Sequence, residues 1–299
     1  MKNFRELGIS SSFVKGLTEL NIIEPTYIQA EVIPVLLAGA TDVVAQAQTG
    51  TGKTAAFGLP LLEQIDHTMG AVQGLILCPT RELAQQVAKQ LFKFTKYSDK
   101  IFTESVYGGE HIERQMIALR RTTHIVVATP GRLIDLVQRK AVDLSAVKTV
   151  VLDEADEMLS MGFKKELDEI LSFLPAVENK WLFSATIPHG IQEIISEHLA
   201  EDALRIEVKH GDIVNNKISH QYVICEDSDK LYALQQFLKS EQENRGVIFC
   251  KTKAAAKRLS LQLIAKNIAT DAIHGDLLQK ERDKVMRAFK NESLRVLVA

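Results

Sequence analysis

Val43-Val44-Ala45-Gln46-Ala47-Gln48-Thr49-Gly50-Thr51-Gly52-Lys53-Thr54-Ala55-Ala56-Phe57 is the stretch that decides the fold. A short apolar strand runs into a glycine loop, and helix formers follow at once. Strand, loop and helix in that order form a phosphate cradle. Gln48, Thr49, Gly50, Thr51 and Gly52 carry backbone N–H groups that turn inward, Lys53 is placed to reach the terminal oxygens of a polyphosphate, and Thr54 sits in the first helical turn with a hydroxyl suited to Mg²⁺. The helix dipole reinforces the preference for an anion. The strict pattern starts with glycine and Ala47 stands there instead, so these residues by themselves leave a Gly-rich turn capped by threonine as the alternative.

Upstream, residues 1–40 are helical in pattern. Ser10-Ser11-Ser12 offers an N-cap before Phe13, Val14 and Leu17, and Pro25-Thr26 starts a second helix through Ile28, Val32 and Ile33. A segment in this place is suited to cover the base of a nucleotide. Phe4 offers a face for a purine, and the Gln29 amide matches the N6 and N7 edge of adenine. A core aromatic and a solvated helical glutamine are the plainer readings of the same two residues.

Downstream, strands and helices alternate: 74–78 then 82–94, 101–107 then 110–119, 125–128 then 132–138. Such alternation predicts a parallel sheet covered by helices, with ligands gathered at the carboxyl ends of the strands. Those ends carry Pro79-Thr80-Arg81, Gly108-Gly109 and Thr129-Pro130-Gly131-Arg132. Hydroxyls, amides and guanidinium groups hold a sugar-phosphate backbone without reading its bases, and paired glycines leave room for close approach. Turn chemistry explains each of the three alone, but explains the two arginines less well.

The strand 149–152 ends at Asp153-Glu154-Ala155-Asp156. Beside a phosphate loop, Asp153 is the expected Mg²⁺-side acid and Glu154 the group that orients and deprotonates an attacking water. By themselves these acids are favourable first-turn residues of the next helix. Strand 180–183 then runs into Ser184-Ala185-Thr186, whose hydroxyls are expected to bond Asp156 and report the state of the nucleotide site.

The 299 residues are enough for two domains. A first domain is expected over 1–208, including the 1–40 segment, then a polar linker over 209–217 and a second domain over 218–299. In the second, strands are expected at 218–225, 246–250 and 269–272, and helices at 230–239, 253–266 and 279–290. Its strand-to-helix corner, Cys250-Lys251-Thr252-Lys253, has no glycine, so one nucleotide site is built. The formal charge of −2 excludes bulk electrostatic coating of nucleic acid and leaves local arginines and amides to do the work. No apolar run approaches the ~20 residues of a membrane span and Met1 to Glu6 lacks the apolar core of a signal peptide, so the cytoplasm is expected and no membrane partner. Cys78, Cys225 and Cys250 are read as reduced core residues.

With these residues in view, the chain resembles the DEAD-box family of ATP-dependent RNA helicases, in a bacterial-type form, over essentially its whole length. Phe4 and the segment from Asn21 to Gln29 look like the family's adenine-recognising Q motif, with Asn21 and Ile22 in place of its usual Gly-aromatic pair. Ala47 to Thr54 is similar to the family's phosphate loop, where alanine comes first. Pro79, Thr80, Arg81, Gly108, Gly109, Thr129, Pro130, Gly131 and Arg132 look like its RNA-contacting motifs, and Ser184-Ala185-Thr186 like the motif linking hydrolysis to unwinding. Val247 to Cys250, His274-Gly275-Asp276, Gln279 and Arg282 match the next set, the last two touching RNA or its neighbouring loops.

The resemblance implies an α/β fold of two RecA-like domains with parallel sheets. It also implies ATP and Mg²⁺ as cofactors, RNA held by backbone contacts, separation of short duplexes by bending one strand, and partners in RNA processing or ribosome assembly. A preference for RNA would come from 2′-hydroxyl contacts. A nucleotide-gated RNA clamp without turnover is the second reading, and turnover with RNA present separates the two. The family continues beyond a strand like 295–299 into the segment that bears its arginine fingers. The second domain is therefore expected to be incomplete, with ATP bound but little RNA-stimulated hydrolysis.

Overall fold

The apolar runs 43–45, 75–77, 125–128, 150–152 and 181–183 become strands because a sheet covered on both faces asks for unbroken apolar segments rather than alternating ones. The computed structural model describes residues 2–39, 42–208, 218–241 and 244–299. It forms two compact units, Met1–Gly211 and Asp212–Ala299. The expected linker 209–217 lies outside the described residues.

The first unit holds strands β1 (Val43–Gln46), β2 (Gly74–Leu77), β3 (Thr103–Val106), β4 (Ile125–Ala128), β5 (Thr149–Asp153), β6 (Asn179–Ser184) and β7 (Leu204–Glu207). Helices α1 (Ser11–Glu19) and α2 (Tyr27–Leu37) precede β1. Then come α3 (Lys53–Gln64), α4 (Arg81–Phe94), α5 (Ile112–Leu119), α6 (Pro130–Gln138), α7 (Ala155–Ser160), α8 (Lys164–Ser172) and α9 (His189–His198). The sheet is parallel, in the order β3-β4-β2-β5-β6-β1-β7. Its residues alternate between two cores. Ala45, Ile76, Val151, Trp181 and Phe183 pack on one face with α1 to α4, and Val44, Leu75, Val150, Leu152 and Leu182 pack on the other. Phe57 of α3 meets Phe183 edge to face, with ring centroids 5.1 Å apart.

The strand order places the site. Although β1 and β5 are far apart in sequence, only β6 separates them in the sheet, so the loop after β1 and the acids after β5 end side by side with Ser184 between them. At the opposite, amino-terminal end of these strands, Asp42 locks β1 to β6. Buried at 3% exposure, its carboxylate accepts from Lys180 N–H (2.7 Å), Lys180 Nζ (2.8 Å) and Ala200 N–H (2.8 Å). Helices α8 and α9 are absent from the sequence reading. Each shows only two or three fully buried residues, Leu167 and Ile170 or Ile191, Ile194 and Ile195, which is a short apolar signal.

The second unit contains α10 (Lys230–Ser240), β8 (Gly246–Ile248), α11 (Lys253–Ile264), β9 (Thr270–Ala272), α12 (Gln279–Lys290) and β10 (Val296–Val298), with a parallel sheet in the order β8-β10-β9. Two expectations are corrected here. Residues 218–225 form no strand: Tyr222 and Ile224 are 87% and 89% exposed. Cys225, expected in the core, is exposed as well. A strand exists through the N–H and C=O groups of a neighbour, and the three described strands of this unit pair only with one another.

Candidate functional site

The cradle begins where β1 ends. Ala47 N–H donates to Ser184 O at 3.0 Å, one rung beyond the strand pairing, and the chain then leaves the sheet. Gly50 and Gly52 take φ of +77° and +94°, and Gly52 caps α3 in the left-handed conformation. A side chain at 52 would also collide with Nε2 of Gln29, so both conformation and space require glycine.

Gln29 is 3% exposed, which overturns its solvated reading. Its Oε1 accepts from Thr26 N–H at 2.9 Å and its Nε2 donates to Gly52 O at 3.0 Å. One amide thus ties the start of α2 to the cradle and keeps one N–H and one lone pair in hand. The approach to it is shaped by the end of α1. Asn21 takes φ of +57°, while Asn21 N–H and Ile22 N–H return to the carbonyls of Thr18 and Leu17, both at 3.0 Å. This is a Schellman-type stop, in which asparagine is the side chain that best tolerates the place glycine usually fills. Ile22 then lines the cleft. Phe4 does not: at 2% exposure it packs in the core with Leu7, Ile9 and Phe13, so the expected purine-stacking face is spent on core contacts. Ser10 also departs from expectation. It precedes α1 but makes no side-chain cap, its hydroxyl facing Ser12 Oγ at 3.0 Å.

The cleft is about 390 Å³. Lys53, 7% exposed, donates from Nζ to Ala47 O at 3.1 Å, folding the ammonium back over the loop. Asp153 is 3% exposed and its Oδ1 has no hydrogen-bond partner. Burial pushes its carboxyl up to about 7 against the opposing pull of Lys53. An orphaned, desolvated carboxylate oxygen is what a divalent cation satisfies, and Thr54 lines the same cleft. Glu154, also raised by burial, sits at φ +53° and ψ +51°, a left-handed conformation that a non-glycine residue holds only when its surroundings enforce it. Leu83, Gln86 and Gln90 complete the wall from α4. The two glutamines are absent from the sequence reading, although the 83, 86, 90 spacing marks one helical face.

Behind the acids, Asp156 Oδ2 accepts from Thr186 N–H (2.9 Å) and Thr186 Oγ1 (2.7 Å), and Asp156 N–H donates to Ser184 Oγ at 3.2 Å. Burial raises the Asp156 carboxyl, but hydrogen bonds from Thr186 and Ser184 outweigh it and the net shift is downward. These bonds tie the end of β5 to the end of β6.

The ends of β2, β4 and β3 follow in that order along the same edge of the sheet. Pro79 is buried and Thr80 caps α4 by accepting Leu83 N–H at 3.3 Å. Arg81 lies over the two glycines, and its guanidinium fills the space where a side chain at Gly109 would stand, so the room they leave is taken from within. Thr129 and Pro130 are buried at the start of α6, with Pro130 at its first turn, and Gly131 faces open space. Arg132 donates from NH1 to Gln115 Oε1 (2.8 Å) and from NH2 to Glu110 O (3.0 Å). In the second unit, Gln279 is 5% exposed and its amide donates to Asp283 at 2.9 Å, while Arg282 reaches His274 O at 3.4 Å.

Residues 26–194 match the family described as DEAD/DEAH box helicase, and 229–299 match the helicase conserved C-terminal domain. The DEAD-box ATP-dependent RNA helicase CshA of Bacillus cereus is 43% identical over 299 residues, covering all of this chain and 56% of that protein, and its Bacillus anthracis namesake matches equally. The chain spans about half the length of the curated relatives it matches. Among solved structures, S. cerevisiae Dbp5 bound to RNA and ADP BeF3 is 30% identical with a TM-score of 0.90, covering 100% of this chain and 75% of that one. A DEAD box protein from the hyperthermophile Methanococcus jannaschii is 39% identical with a TM-score of 0.66, covering 99% and 79%. Matched along its whole length by relatives of one kind, the chain belongs to the DEAD-box helicase family.

Proposed function

We propose that the chain acts as an ATP-dependent RNA helicase, and the observation that carries this is one cleft holding a buried adenine-matching amide at one end and an orphaned carboxylate oxygen at the other. The remaining N–H of Gln29 fits adenine N7, an acceptor, and its remaining lone pair fits the N6 donor; guanine presents O6 there, acceptor against acceptor. Loop N–H groups of 48–52 and Lys53 hold the phosphates. Asp153 and Thr54 would hold Mg²⁺, which when bound neutralises charge building on the transferred phosphoryl group. Glu154 orients the attacking water and takes its proton, a task helped by a carboxylate that burial has made more basic.

RNA is read as a backbone. Arg81, Arg132 and the loops at 108–109 and 129–131 supply guanidinium, hydroxyl and amide groups without a base-reading element. Association with RNA-processing or ribosome-assembly complexes in the cytoplasm belongs to the same proposal and rests on the family resemblance.

The test compares fluorescent ATP and GTP affinities and, in a version extended through the family's arginine-finger segment, RNA-stimulated phosphate release, in the wild type, Gln29→Ala and Glu154→Gln. ATP is expected to bind at least ~10-fold tighter than GTP, the difference one good base-edge pair supplies. Gln29→Ala should erase that gap, and Glu154→Gln should keep affinity while losing turnover. Equal ATP and GTP binding by the wild type overturns the base reading, and unchanged turnover in Glu154→Gln overturns the role of Glu154.

A further inference from the structure

Helix α5 carries an anomaly. Its apolar residues Ile112, Met116 and Leu119 are only partly buried, while its single fully buried residue is a glutamine, Gln115, at 5% exposure. A leucine or methionine in that place would pack without any cost of desolvation, so the amide must be repaid in hydrogen bonds. It is. Gln115 Nε2 donates to Tyr107 O at 3.0 Å, and Gln115 Oε1 accepts from Arg132 NH1 at 2.8 Å. Arg132 NH2 continues to Glu110 O at 3.0 Å. The backbone between Tyr107 and Glu110 is thereby held at both ends by one connected pair of side chains, from α5 and α6.

The sheet ladder does not hold this loop. Residues 107–110 lie beyond the last rung of β3, and Gly109 takes φ of +83°, outside any strand conformation. The face of the loop is packed by the Arg81 guanidinium. The frame therefore sets where two arginines and two glycine amides stand relative to one another.

We propose that Gln115 is a positioning residue for RNA: through Tyr107 O and Arg132 it holds the Gly108-Gly109 loop and its flanking arginines as one preorganised surface for a ribose-phosphate backbone. The proposal rests on the reading of these strand ends as the RNA surface. Fully satisfied buried amides of this kind set geometry more than they add stability, and a loop ordered in advance spares its ordering cost on binding.

The test uses the whole chain with Gln115→Leu and Gln115→Glu, the second nearly isosteric and able to keep the acceptor for Arg132 while losing the donor to Tyr107 O. Affinity for labelled single-stranded oligouridylate, with a non-hydrolysed ATP analogue present, is read by anisotropy across a salt series; analogue affinity and melting temperature are read in parallel. Gln115→Leu should weaken RNA binding ~10-fold or more and flatten the log K against log salt slope by about 0.7 for each phosphate no longer neutralised, with analogue affinity within ~2-fold of wild type. Gln115→Glu should fall between. Unchanged RNA affinity and slope in both variants overturn the proposal, as does an equal loss of analogue affinity, which would mark Gln115 as a general packing residue. A wild type that binds no oligouridylate refutes the RNA reading instead. Amide exchange at 108–110 then decides the frame itself: faster exchange in Gln115→Glu supports it, and unaltered exchange overturns it.

Discussion

Two buried titratable side chains show opposite uses of burial. Asp153 is left with an unpaired oxygen at the mouth of a cradle, where a cation would meet the need. His124 has no such visitor. At 0% exposure, its Nδ1 accepts Phe102 N–H at 3.0 Å, so the proton must sit on Nε2, which has no partner, and the ring stacks on Phe102 at 5.6 Å. Burial lowers its pKa below 6.5, since a second proton would add charge and remove the acceptor Phe102 uses. The sign follows: the folded state binds this proton less well than the unfolded one. The contribution of His124 is complete above pH 6.5 and is lost as pH falls from there through the folded value. Urea midpoints between pH 7.5 and 5 should drop more steeply for the wild type than for His124→Gln, which keeps an acceptor but cannot titrate. Parallel curves would show that His124 is not the linked group.

At the scale of elements, helix contacts depend on glycines whose need the sequence does not announce. Gly16 of α1 faces the last turn of α4, where an added Cβ would stand 2.7 Å from Phe94 O. The obstacle is backbone and cannot swing aside, so Gly16→Ala should cost about 1–3 kcal/mol, as overpacking does, despite alanine's better helix propensity. Chemical denaturation reads this directly, and a stabilised variant would show that α1 is free to shift. The same logic marks the limits of sequence reading. Helices α3 and α4 were legible because each buries a long apolar face, whereas α8 and α9 bury only a few apolar residues each. The stretch 218–225 carries the β-prone Ile218, Tyr222, Val223 and Ile224 and yet is no strand, because pairing belongs to the neighbour as much as to the segment.

Across the first unit, the sheet is held in register at the amino-terminal ends of β1 and β6, opposite the site, by Asp42, which binds the backbone and side chain of Lys180 and the N–H of Ala200. Asp42→Ala removes an acceptor that is itself 3% exposed from a Lys180 side chain that is 23% exposed and should cost about 1–3 kcal/mol, the scale of donors left without their partner. A shift of under ~1 kcal/mol in denaturant unfolding would show that water replaces the carboxylate. By itself the sequence determined the parallel α/β architecture, the cradle at 47–54, the acids at 153–156 and the strand-end loops, because each is written in contiguous residues whose local chemistry permits few alternatives. Only the tertiary structure decided that Phe4 belongs to the core, that Gln29 is seated on Gly52, that Arg81 fills the space over Gly109, and that Gln115 frames the 107–110 loop. Those are facts of who stands beside whom across long stretches of chain. A buried amide and a solvated one have the same letter, and the difference lies in the partners that strand order brings within hydrogen-bonding reach.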